Sequence, residues 1–286
     1  MTDPLLAVVL GLFSAVTLAA ANVSVKMGTD ILVGRAILSG SSALLVLPAI
    51  FIVPLPDAAT WAALAVTLPA HYFYQMCLVR SMSRGDLSLV FPVMRGAAPL
   101  LTAFSALIFL SEELSVLAWF GLVAATVAVV SFALPPKGVQ IRDHPDKVAL
   151  AWALATALGV SLYNVADARG VRIAPDPLTF IAWLFLLDPI GVVTTTLVVR
   201  RKALAEALKM RWRYGVAAGA LSVLSFGSAL YAFSLIETAK VSALRETSVV
   251  FAAAMGSLFL GESFGRRRII AAMVLAAGLL LMQFGG

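Results

Sequence analysis

Charge is scarce in this chain. Only 13% of its 286 residues are Asp, Glu, Lys or Arg, about half the share usual in soluble domains. No stretch is long and polar enough to fold as a separate soluble domain. Cysteine occurs once, at Cys77, which excludes an intramolecular disulfide and leaves the redox compartment open. Two histidines beside that one cysteine argue against a dedicated metal site, and no metal or other cofactor is expected. HExxH, GxSxG, Walker A and GxGxxG patterns are all missing, so nothing points to an enzyme and the chain does not drive transport by ATP hydrolysis on its own. A basic leader is missing too. Asp3 is the only charge before Leu5, so the first apolar block is expected to be a permanent span rather than a signal peptide.

What is present is apolar: 61% of residues are hydrophobic and the mean hydropathy is +0.99. The apolar residues fall in blocks of about 20, the length that crosses a bilayer core as helix. Ten blocks can be drawn, at 4–26, 31–53, 59–82, 87–110, 114–134, 147–169, 177–199, 213–236, 240–261 and 265–284. Short gaps rich in Pro, Gly and charge separate them, such as PLPDAAT and RIAPDP. The expected fold is an all-α integral membrane bundle of ten transmembrane helices.

The high pI, near 9.8, points to lipid headgroups rather than nucleic acid once the basic residues are placed in loops. Loops after odd-numbered spans hold 15 Lys and Arg, and loops after even-numbered spans hold 3. Positive loops stay cytoplasmic, so both termini are expected on the non-cytoplasmic side of a cell inner (plasma) membrane. The basic run RRKALAEALKMRWR (200–213), with Leu204, Leu208 and Trp212 four apart, is expected to lie along the inner surface as an amphipathic helix.

An internal repeat orders the spans. IFLSE (108–112) answers LFLGE (258–262) at a shift of 150, and the same shift carries Arg95 onto Arg245. AANV (20–23) answers YNVA (163–166) through Asn22 and Asn164, at a shift of 142. The discrepancy falls in a loop. The expected division is a first five-helix repeat at 1–136, a connecting loop at 137–146 and a second repeat at 147–286. Five spans per repeat invert the second relative to the first, and in such architectures substrate binds near midplane where the repeats meet.

Arg95 is the one charge in the run from Leu87 to Leu110, and a charge at the centre of a membrane helix costs about 2.5–3.5 kcal/mol even on an insertion scale. Pro92 and Pro99 free the carbonyls of Ser88 and Arg95 from helical partners, which suits a helix lining a watered cavity better than one facing lipid. Snorkelling to the headgroups or a structural ion pair is the plainer alternative. Arg95 lies about 12 Å from the cytoplasmic end of its helix and Arg245 about 9 Å from the outer end of its own, at 1.5 Å per residue.

Other intramembrane polar residues divide into two groups. His71, Tyr74 and Gln75 share one helix face and form a polar patch, either on a cavity wall or against another helix. Asp188, mid-span before Pro189, could carry a coupling proton, bind a substrate amine or pair with an arginine. Glu246 follows Arg245, but adjacent helix residues point different ways. Asn22 and Asn164 are expected to bridge helices by hydrogen bonds. Tyr163 serves equally as a packing residue or a stacking surface for ligand. Gly121/Ala125, Gly215/Gly219 and Ala252/Gly256 have the spacing of close helix contacts.

Ten spans in two halves, each fourth helix ending in FLSE or FLGE, resemble the EamA-type members of the drug/metabolite transporter superfamily. Asn22 and Lys26 at the end of the first span resemble that family's opening pattern. Two features depart from it: Ala19 to Ala21 stand where a Trp-Gly pair is usual, and Glu112-Glu113 and Glu262-Ser263 replace a common Glu-Arg. The resemblance implies secondary transport of small metabolites, with amino acids, sugars and drug-like cations among the substrates. Arg95 for a carboxylate and Asp188 for an ammonium favour a zwitterion, hence outward transport of amino acids by alternating access. Alternatives are a passive facilitator or channel, and a carrier of drug-like cations or sugar-type metabolites. The expected partners are a small-molecule substrate and membrane lipid, with no nucleic acid and no required oligomer.

Overall fold

The computed structural model describes residues 3–25, 30–84, 87–133, 147–251, 254 and 266–284. Within them the secondary structure is helical: α1 Asp3–Val25, α2 Ile31–Val46 with a 3₁₀ turn at Leu47–Phe51, α3 Ala58–Arg84, α4 Leu87–Leu110, α5 Val116–Ala133, α6 Lys147–Ile173, α7 Pro177–Leu187, α8 Pro189–Val199, α9 Arg201–Phe233, α10 Thr238–Glu246 and α11 Arg266–Phe284. Among the described residues seven segments are long and apolar enough to cross a membrane, and two shorter apolar helices, Val116–Ser131 and Ile269–Phe284, accompany them. The molecule is a multi-pass membrane protein.

Local chemistry sets the helix ends. Asp30 Oδ1 accepts from the Leu32 and Val33 amides at 3.0 and 3.2 Å, satisfying donors that a first turn leaves without partners. Asp57 does the same for the Thr60 amide at 2.8 Å, and Ser115 for Ala118 at 3.0 Å. At α7 the cap is Asp176 and Pro177 occupies the first helical position, where its missing N–H and fixed φ are no handicap. The seventh apolar block is divided as Pro189 predicts. Asp188 stands between α7 and α8 with α-region dihedrals, φ −52° and ψ −40°, so the ladder is interrupted while the path stays close to helical.

The run 200–213 differs from its expectation. Arg201 to Phe233 form one unbroken helix. Leu204 packs with Val33, Ala36 and Val192, whereas Leu208 and Trp212 are exposed. The three apolar residues therefore do not share a buried face, and the run extends a transmembrane helix instead of forming a separate one.

Small residues bring the helices together. A Cβ on Gly121 would collide with the Gly278 carbonyl oxygen, and one on Gly278 would lie 2.9 Å from the Ala125 amide nitrogen. The backbones of α5 and α11 thus meet directly, as the Gly121/Ala125 spacing predicts. Gly215 and Gly219 play the same part against Ile37, Ser41 and Ser42 of α2. Ala252/Gly256, Lys26 and the LFLGE segment lie outside the described residues. Alanines dominate the buried positions, while Leu44, Ile108, Phe120 and Val198 are exposed on the outside, where lipid rather than water covers them.

The major packings pair α3 with α6, α1 with α9, α4 with α6, α2 with α9 and α5 with α11. α6 therefore runs between α3 and α4, and its polar residues become central.

Candidate functional site

Seen from α6, the spacing Tyr163, Asn164, Asp167 places three polar residues on adjoining turns of one helix face. All three are buried: Asp167 is fully enclosed, Asn164 is 1% exposed and Tyr163 7%. From α3, His71 and Gln75, one turn apart, project towards them. His71 Nε2 lies 3.0 Å from Asp167 Oδ2 and 3.2 Å from Oδ1. On the other side of the ring, His71 Nδ1 lies 3.4 Å from Asp188 Oδ1, and Gln75 donates to the same oxygen at 2.9 Å. The interruption between α7 and α8 thus places a carboxylate where α3 can reach it.

Aromatic rings surround this chain of polar groups. Tyr163 stacks at a tilt on His71 with ring centroids 4.5 Å apart, Tyr74 meets Tyr163 edge-on at 5.0 Å, and Phe226 of α9 abuts both His71 and Tyr163. Two arginines approach these rings. The Arg35 guanidinium stands 5.8 Å from the centre of the Tyr74 ring, and that of Arg245 stands 5.2 Å from Phe226, within cation–π range.

Arg95 of α4 pairs with Glu246 of α10, Nη1 to Oε1 at 3.2 Å. Arg245 therefore does not hold its neighbour Glu246; the arginine that does comes from a different helix. Asn164 donates to Thr102 of α4 and Ser242 of α10, each at 3.4 Å, bridging helices as expected. Of Asn22 the helical backbone alone is described, at the end of α1.

Several buried polar atoms here lack hydrogen-bond partners: Gln75 Oε1, Asn164 Oδ1, Glu246 Oε2, and the Nε atoms of Arg35 and Arg245. Such atoms are costly when buried unpaired, and a ligand is one explanation for keeping them.

Sequence reasoning omitted Asp167, Arg35 and Phe226. Asp167 lies near the end of the sixth block, beside Arg169, and reads as a loop residue. Its spacing of four from Tyr163 was the available signal. Arg35 opens the second block, where a basic residue ordinarily reaches the headgroups. Phe226 carried no signal.

A sequence comparison decides the family. Residues 147–284 match the EamA-like transporter family. The second half of this chain belongs to it. The resemblance drawn from FLSE, FLGE and the opening pattern is thereby borne out. That match suggests a membrane transporter of small solutes. A solved crystal structure of another protein superposes with a TM-score of 0.76 at 16% sequence identity, covering 98% of this chain and 97% of that one. At that identity the likeness establishes the fold, and it extends through the half that the EamA match leaves uncovered.

Proposed function

We propose that this EamA-type protein is a secondary carrier of small zwitterions, most simply amino acids, moved outward by alternating access between two inverted five-helix halves. The observation that carries this reading is the gathering of unpartnered buried atoms of both kinds: donors on Arg35 and Arg245, acceptors on Gln75, Asn164 and Glu246. A zwitterion offers both complements, a carboxylate for the arginines and an ammonium for the acceptors. Apolar surface from Tyr74, Tyr163 and Phe226 would cover the rest of such a ligand, as in most small-molecule sites.

The packing supports the inverted arrangement. If the first five spans map onto the second five, contact of the third span with the sixth requires contact of the eighth with the first. These are the α3–α6 and α1–α9 packings. The fifth and tenth spans should then pair with each other, as α5 and α11 do. The site draws His71 and Arg95 from one half and Asp167, Asp188 and Glu246 from the other, so relative motion of the halves would remodel it.

The test is uptake of each radiolabelled amino acid by proteoliposomes, preloaded or not with the unlabelled compound. A carrier saturates and is stimulated by preloading. Flux that rises linearly without stimulation identifies a passive facilitator, and no uptake of any amino acid removes the zwitterion reading.

A further inference from the structure

Cations and carboxylates at the site do not match one for one. Asp167 and Asp188 flank the His71 ring at 3.0 and 3.4 Å, and Glu246 is held by Arg95 at 3.2 Å. Each carboxylate therefore has a basic partner. Arg35 and Arg245 have no acidic one. Among the described residues neither forms an ion pair or a hydrogen bond, and the Nε of each is enclosed without an acceptor. Arg35 acts on Asp188 electrostatically without reaching ion-pair distance, and Asp188 Oδ1 is already occupied by Gln75 at 2.9 Å and by His71. A guanidinium stays charged, and charges inside a membrane protein face a partner or a ligand path. Two such cations call for two anionic groups. Resting on the amino-acid reading above, we propose that the substrate is an acidic amino acid and that Arg35 selects its side-chain carboxylate.

The two arginines are placed to read different ends of such a ligand. Arg35 of α2 stands 5.8 Å from the centre of the Tyr74 ring and Arg245 of α10 stands 5.2 Å from that of Phe226. Tyr163 touches both rings, with centroids 5.0 and 5.9 Å away. The guanidiniums thus flank the first and last members of one chain of ring contacts. Stacking on a ring leaves the in-plane N–H donors of arginine free for an anion.

The acceptors decide which end takes the amino group. Glu246 Oε2 and Asn164 Oδ1 lack partners. Glu246 follows Arg245 in α10, and Asn164 is tied to that helix through Ser242 at 3.4 Å. The ammonium and α-carboxylate, which every amino acid carries, therefore go to the α10 end, where Arg245 takes the carboxylate. The group that distinguishes one amino acid from another goes to Arg35, with its methylenes against Tyr163 and Tyr74. Gln75 Oε1 is also unpartnered, on the side chain that donates to Asp188. It gives a side-chain amide an acceptor at the Arg35 end, so the amides are the stringent comparison.

The test is exchange in proteoliposomes of radiolabelled L-glutamate and L-aspartate beside L-glutamine and L-asparagine. The better acid should exceed its amide by about tenfold or more at equal concentration, because the amide forfeits one charge-assisted contact. Arg35→Gln should erase or reverse that preference while amide exchange persists, and Arg245→Gln should lower acid and amide alike. Arg35→Lys serves if Arg35→Gln does not fold. It keeps the charge but not the planar fork, so it should slow the acids and spare the amides. Amides exchanged as well as the acids by the parent protein overturn the proposal and leave the amino-acid reading standing. A preference for acids that Arg35→Gln leaves unchanged overturns the role of Arg35. Succinate has both carboxylates and no ammonium, and should not exchange. Succinate exchange as fast as that of the acids removes the amino-acid reading and upholds the two-carboxylate site, and no exchange of any of the five compounds overturns both.

Discussion

At the scale of single residues, the pairing of Arg95 alters what its removal should do. From sequence, Arg95→Ala is expected to abolish transport with little loss of folded protein. The structure gives it Glu246 as a partner, and the Glu246 side chain is only 6% exposed. Deleting one member of a buried pair strands the other charge, at about 3–5 kcal/mol. Arg95→Ala should therefore lower the melting temperature in detergent as well as stop uptake. Adding Glu246→Gln should recover much of the melting temperature without restoring uptake, because the stranded charge is gone while the cation is still missing. A double variant no more stable than Arg95→Ala would show that the pair is not what Arg95 contributes to folding.

Among elements, the α9–α10 turn is held by a residue of the opposite half. Glu112, just beyond α4, accepts from the Thr238 amide and hydroxyl, both at 2.7 Å, and from Arg172 of α6 at 2.6 Å. Arg172 in turn donates to the Phe233 and Ile236 carbonyls at 2.8 and 2.9 Å. One carboxylate thus caps the start of α10 while one guanidinium donates to the carbonyls ending α9, each satisfying groups a helix terminus leaves open. Glu112→Ala should loosen this clasp, seen as faster amide hydrogen exchange at 234–240 with α5 and α11 unchanged. The α5–α11 contact is of another kind, backbone on backbone. Gly121→Val should drive the two helices apart and destabilise the fold by at least about 1–3 kcal/mol, measurable as a fall in melting temperature.

For the whole molecule, the open quantity is orientation, and the loop charges predict it. Cys77 is buried, so Cys77→Ala supplies a background for single reporters. Leu55→Cys, in the exposed link between α2 and α3, should react in intact cells with a membrane-impermeant maleimide, and Lys202→Cys, at the start of α9, should react only after lysis. The reverse pattern would place both termini in the cytoplasm and show that the 15 to 3 bias is overridden by packing.

The sequence by itself determined the membrane class, most of the described helices and the resemblance to the EamA family. These depend on composition, on block length and on caps and prolines within a few residues, all of which are local. It also supplied most polar residues of the site, because an ionisable side chain in an apolar run stands out wherever it points. It did not determine partnership. That Arg95 meets Glu246 rather than a lipid phosphate, that Asp188 meets His71, and that a loop-like Asp167 is the most enclosed carboxylate of the cluster were decided by the tertiary structure. These contacts join residues 96 and 151 apart in the chain for His71–Asp167 and Arg95–Glu246, and at such separation only the packing of small residues on α5, α9 and α11 and the crossing of α6 between α3 and α4 fix which side chains face one another.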